Sequence, residues 1–174
     1  WPNLNLTVSE RTALLDWTND GGSLFVLADR SGFMPNQGYF ILNWTIQDMD
    51  ISIGAYNIVN DVNATLSEPR HPTTERAVKI AASWRNYLNI TGEAAHPIYD
   101  YEGNIILAAQ QYGAGRVVVS SDLNIFANTR MRSTLSNEQL SVNIADWLTA
   151  SEADILYMCN YPLMGDAFAY PHKS

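Results

Sequence analysis

Two aspartates hold the most chemical promise in this chain. Asp29 ends the apolar run SLFVLA, and Asp122 ends the run RVVVSS. In open α/β sheets, ligands bind beyond the carboxyl ends of the strands. Arg30, Asn124 and Asn128 follow the two aspartates closely, and His71, in EPRHP, is placed where it could approach the same rim. Such carboxylates and amides are oxygen donors suited to calcium, magnesium or sugar hydroxyls. An enzyme built on them needs Asp29, Asp122 and His71 to converge in one concave pocket. A plainer reading stands beside this one. Aspartates at strand ends commonly cap the following turn, asparagines bond loop backbone, and a histidine before a proline stabilises its loop. His96 and His172 complete the histidines. Three scattered histidines make no zinc signature, so no metal or other cofactor is expected.

The elements that position these groups read as α/β. Thr7 and Glu10 form a T-x-x-E capping box, with Leu6 as staple partner, and Val8, Leu14, Leu15 and Trp17 supply a buried side. Gly21 and Gly22 stop that helix, because glycine adopts the left-handed conformation without a Cβ clash. SLFVLA then reads as a strand buried on both faces. QGYFILNWTI reads as a short helix, and AYNIVND as a strand. RAVKIAASWRNYL fits either a helix or a strand. NIILAAQQ and RVVVSSD, joined by YGAG, form a β-hairpin near 104–121. LNIFANTRM reads as a loop. In SNEQLSVNIADWLTA, Ser136 or Asn137 caps a helix with Leu140, Ile144 and Leu148 on one stripe. DILYMC is a candidate last strand, and the residues after it read as a tail. Residues 1–150 are therefore assigned to one domain, and 151–174 to a final strand and tail or linker. Trp17, Trp84 and Trp147 are expected in the core. Tyr99 and Tyr101, in HPIYDYEGN, read as an acidic aromatic loop, a weak hint of a binding surface.

A chain of 174 residues with 47% hydrophobic and 16% charged residues is long enough to bury a core and is expected to fold. Its net charge of −8 argues against nucleic acid, whose affinity depends on basic residues. No apolar run approaches the ~20 residues of a membrane span, so a membrane link is expected only through segments outside this chain. Cys159 is the single cysteine and, in an apolar run, reads as a small buried hydrophobe. Trp1 reads as the start of a mature or trimmed chain. N-x-[ST] sequons occur at Asn5, Asn43, Asn63 and Asn89, a mild excess over chance that favours an extracellular or cell-surface protein, prokaryotic in composition.

LTVSERTALLDWTNDGGSLFVLADRSG resembles a segment of domains related to class I glutamine amidotransferases, in the branch holding DUF4350-like and ThuA-like proteins and the 48-kDa oligosaccharyltransferase subunit. EPRHPTTERAV, YGAGRVVVSSDLNIFAN and NEQLSVNIADWL are similar to further segments, in the expected order. The resemblance implies a flavodoxin-like or Rossmann-like, mostly parallel sheet flanked by helices. It also implies a strand and helix ahead of residue 4 that are missing here. Amidotransferase chemistry needs a cysteine on a tight turn after the strand, served by a histidine and an acid. The corner LADRSG has none, and Ser31 lacks a G-x-S-x-G frame. The resemblance therefore carries over no catalytic residue. It implies a non-catalytic module of a cell-surface glycoprotein, active in protein assembly or glycoconjugate binding. The alternatives are a degenerate hydrolase or sugar-modifying enzyme using Asp29 and Asp122, and a structural subunit of a surface layer or filament. In the last, a neighbouring copy supplies missing strands.

Overall fold

The computed structural model describes residues 6–30, 38–56, 58–132, 135–150 and 155–159. Helix α1 (Val8–Asn19) opens as its sequence dictates. The Thr7 hydroxyl accepts the Glu10 N–H, and the Glu10 carboxylate accepts the Thr7 N–H. Its buried side differs from the expected one: Val8 is exposed, while Arg11, Leu15 and Thr18 are buried. Arg11 is drawn in because its guanidinium bonds Trp44 O and the Asp48 carboxylate and lies over the Trp44 ring. Gly21, at φ 122°, turns the chain into β1 (Ser23–Leu27).

Strand β1 is buried on both faces and lies between two parallel partners, β8 (Gly115–Ser120) and β9 (Ile155–Cys159). Those two pairings are the parallel ones among the described residues. The mostly parallel, flavodoxin-like sheet is corrected to a mixed one in the order β4-β3-β6-β7-β8-β1-β9. The strands β3 (Ile58–Leu66), β4 (Lys79–Arg85), β6 (Ala95–Tyr101), β7 (Asn104–Tyr112) and β8 pair antiparallel. β2 (Ile51–Ile53) and β5 (Leu88–Ile90) form an antiparallel side branch joined to β7. The reason is connection length. Two-residue turns at Glu102–Gly103 and Gly113–Ala114 reverse the chain, whereas a parallel crossover needs a dozen residues or more.

Other expectations are resolved. RAVKIAASWRNYL is strand β4. HPIYDY of HPIYDYEGN lies in strand β6 and only Glu102–Gly103 is a turn, with Tyr99 fully buried and its hydroxyl donating to Ala77 O. LNIFANTRM is a 3-10 turn (Leu123–Phe126) followed by the short helix α3 (Asn128–Met131). QGYFILNWTI forms helix α2 (Gly38–Ile46), and α4 spans Asn137–Thr149. β9 covers the outer edge of β1, so that central strand is not left open. The residues after Cys159 lie outside the described ones.

Two cores flank the sheet. Leu27, Val118 and Leu107 face Leu140, Ile144 and Leu148 of α4. Leu24, Val26 and Val119 face Leu15 of α1 and Leu42 and Ile46 of α2. Each fully buried Leu or Ile contributes about 1.5–3 kcal/mol of transfer free energy. Among the described residues, no helix is long and apolar enough to cross a membrane.

Candidate functional site at the carboxyl rim

Leu27 of β1 is in register with Ser120 of β8, so Asp29 and Asp122, two residues further on, leave the sheet side by side. Both are buried, at 4% and 0% exposure. Burial pushes the Asp29 carboxyl up to about 6 and the Asp122 carboxyl up to about 7, and the charge of Asp29 adds to the rise at Asp122.

Their bonds show what they are used for. Strand β4 ends the sheet, and the edge it turns away from β3 would expose peptide groups. That edge is closed by side chains. Asp122 Oδ2 accepts the Ser83 N–H at 2.5 Å, and Asn124 Nδ2 donates to Ser83 O at 3.1 Å. Asn137 Oδ1 accepts the Ala81 N–H and its Nδ2 donates to Ala81 O, both at 2.9 Å. Ser136 N–H donates to Lys79 O. Further along, Asn86 N–H donates to Ser121 O at 3.0 Å, and Asn86 Nδ2 donates to Asp29 O at 2.7 Å. The sheet therefore curls until β4 meets the segment leaving β8. Polar side chains stand in for the next strand, one way natural sheets block edge-to-edge pairing. Asp122 is saturated further by the Asn124 N–H at 2.7 Å and Asn124 Nδ2 at 3.0 Å. Asp29 Oδ1 accepts the Arg30 N–H at 2.7 Å.

His71 does not join them. It caps the 3-10 turn Pro72–Thr74, with Nδ1 accepting the Thr73 N–H at 3.3 Å, and its ring lies 4.8 Å from that of Trp147. Trp147 belongs to the end of α4 that meets Ser23, at the amino ends of the parallel strands. The sheet thus separates His71 from the aspartates, and the expected approach to the rim is corrected. Burial lowers the His71 imidazole to about 4, so it is neutral at pH 7. Asn128 is exposed at the start of α3. Cys159 occupies the register position beside Leu27. Among the described residues, no three His, Cys, Asp or Glu side chains group as metal ligands.

Trp84 is the rim residue that sequence reasoning misplaced. It was expected in the core, yet it is 46% exposed and left-handed at φ 55°. Such a conformation costs a bulky residue about 1–3 kcal/mol. Its carbonyl accepts the Arg30 N–H at 3.4 Å, and the Arg30 guanidinium lies 4.9 Å from its ring centroid. Asn86 and Asn137 were also missed as rim residues. The one signal for them is an asparagine where the pattern wants an apolar residue.

The sequons divide by geometry. Asn5 lies outside the described residues. Asn43 uses both ends of its amide on Ile53, with Nδ2 donating to the carbonyl and Oδ1 accepting the N–H, each at 2.7 Å. Asn63 and Asn89, with Thr65 and Thr91, are exposed.

A mixed α/β sheet closed by a polar clasp, with a rim of buried aspartates, defines the class of domain. The chain belongs to the DUF4350 family, a domain of unknown function, whose model matches residues 2–145. No curated protein matches it. Among solved structures, a cytoplasmic protein of Salmonella typhimurium is similar at TM-score 0.60 and 11% identity, over 83% of this chain and 62% of that one. A putative ThuA-like protein of Bacteroides uniformis is similar at TM-score 0.52 and 13% identity, over 82% of this chain and 64% of that one. A β-galactosidase of Bacillus circulans sp. alkalophilus is similar at TM-score 0.53 and 11% identity, over 82% of this chain and 21% of that one. At these identities the likeness is one of fold. The chain spans about three fifths of the Salmonella protein, 62% of its length.

Proposed function

We propose that this domain is a non-catalytic, amidotransferase-like module of a cell-surface glycoprotein, working by binding a protein partner or a glycoconjugate. One observation carries the reading. The polar groups at the carboxyl rim are spent on structure, because Asp122, Asn124 and Asn137 hold the edge of β4. The corner after β1 offers a buried aspartate where an amidotransferase needs a cysteine, and the histidine nearest in sequence logic sits at the other end of the sheet.

A second reading has one observation in its favour: Asp29 and Asp122 are neighbouring carboxyls raised to about 6 and 7. Such pairs serve acid–base hydrolysis in other folds. Turnover separates the two readings. Wild-type protein and the Asp29→Asn variant are assayed against glutamine, p-nitrophenyl esters and p-nitrophenyl glycosides. The proposal expects no turnover above buffer. Hydrolysis that disappears in Asp29→Asn overturns it in favour of the hydrolase.

The surface placement has its own test. In material made through a glycosylating secretory route, peptide mass mapping is expected to find sugar on Asn63 and Asn89 and none on Asn43. Bare Asn63 and Asn89 would remove the support that the sequons lend to a glycoprotein.

A further inference from the structure

We propose that Trp84 is the stacking platform of a carbohydrate-binding subsite at the carboxyl rim of β1 and β8. This rests on the binding-module reading and names its ligand class.

Trp84 is presented, not merely left outside. Its pairing with β3 steps from Ile58↔Arg85 to Asp61↔Ser83, so Val59 and Asn60 together oppose Trp84 alone. That is a β-bulge, a device that re-aims a side chain and recurs beside functional sites. The bulge is fixed from beneath. Arg85, 1% exposed, donates from its guanidinium to Asn60 O at 2.9 Å and lies over the rings of Tyr87 and Tyr101. On one side of Trp84, Ser83 is clamped by Asp122 and Asn124; two residues on, Asn86 is tied to Ser121 and Asp29. The backbone is thus over-determined on both sides of a residue that is strained and exposed. Strain of this kind collects where a ligand is held.

The surroundings select the ligand. On β3, Asn60 shares the bulge opposite Trp84 and Asp61 pairs with Ser83; both are exposed, and Asp61 is held by Arg130 at 2.8 Å. Tyr56, 50% exposed, has its N–H bound by Asn86 Oδ1 and stands edge-on to Tyr87. A half-exposed indole with the Arg30 guanidinium over its ring, and a held carboxylate and amide on the paired strand, matches a pyranose, which offers C–H groups on one face and hydroxyls at its rim. A net charge of −8 disfavours polyanions. A protein partner would call for a contiguous apolar patch, and polar Asn60, Asp61 and Arg30 interrupt this one.

The test is calorimetric titration of the protein with cellohexaose, mannohexaose and galactohexaose. At least one is expected to bind. Trp84→Ala should weaken it about tenfold or more, and Trp84→Phe should keep most of the affinity. Trp84→Gly should lose binding while its Tm stays level or rises, because glycine accepts the left-handed backbone freely. Absence of binding by wild type, or equal binding by Trp84→Ala, overturns the inference. So does a wild-type dimer, seen by light scattering, that Trp84→Ala dissolves without any sugar binding, since the platform would then be a protein contact. If sugar binds and glycosides are also hydrolysed, the non-catalytic reading fails and this one stands. If neither occurs, this one fails and the non-catalytic reading stands.

Discussion

Asn137 pairs with Ala81 as a neighbouring strand would. Its side-chain amide accepts the Ala81 N–H and donates to the Ala81 carbonyl, each at 2.9 Å, across 56 residues of chain. The same Nδ2 also reaches Ile125 O at 2.9 Å, so one buried side chain ties β4, the 3-10 turn after β8 and the first turn of α4 together. The position invites reading as a helix cap. Ser136 holds the cap position without a side-chain bond, and Asn137 turns inward to the sheet.

Removal of that amide is therefore expected to open the edge of β4. Asn137→Ala strands the Ala81 peptide in a buried setting and should cost about 2–4 kcal/mol, the sum of a few buried hydrogen bonds. Urea unfolding measures it, and hydrogen exchange should show the Ala81 amide losing protection before those of β7. A loss under about 0.5 kcal/mol would mean that the clasp is not holding the edge.

Stability should fall with pH across a defined window. Asp29 and Asp122 are raised to about 6 and 7, so between roughly pH 4 and those values the folded protein binds more protons than the unfolded chain. Their contribution is fully present at the acid end and is lost as pH rises through the folded values. His71, lowered to about 4, acts oppositely: its contribution grows from about pH 4 and is complete above the ordinary imidazole value of 6.5. From pH 4.5 to 6 one carboxyl offsets the histidine and the other remains, giving a net decline of at most about 1.4 kcal/mol per pH unit. Asp122→Asn removes that remainder and should flatten the profile. Urea midpoints at pH 4.5 and 6 decide it, and a wild-type midpoint that rises over this interval contradicts the assignment.

The first residue of β8, Gly115, is expected to tolerate no side chain. A Cβ there would run into the carbonyl oxygens of Thr18 and Gly22. Both are backbone, at the close of α1 and the entry to β1, and neither can yield as a flexible side chain would. Gly115→Ala should cost about 1–3 kcal/mol, the usual range for overpacking. Thermal unfolding checks it; an unchanged Tm would show that α1 can slide away from the hairpin.

The sequence by itself determined the local pieces. The capping box on Thr7 and Glu10, the glycine stop, the doubly buried β1, the hairpin of β7 and β8 and the apolar stripe of α4 all follow from spacing and residue type, because each is decided within a few residues of chain. It also placed Asp29 and Asp122 at the ends of two strands; that those strands are neighbours came from the fold. Only the tertiary structure decided the rest. β6 looked like a loop because its proline, tyrosines and aspartate carry no period, and burial of Tyr99 against Ala77 makes it a strand. The sheet is mixed because its strand partners are chosen by turns and by long-range pairing, which no local pattern records. His71 and the aspartates fall at opposite ends because α4 runs antiparallel to the strands between them. Asp122 and Asn124 looked like ligands, and Asn137 like a helix cap, until β4 arrived to use them. A polar side chain has the same chemistry whether it faces a substrate or a peptide group, and only the fold brings one or the other within reach.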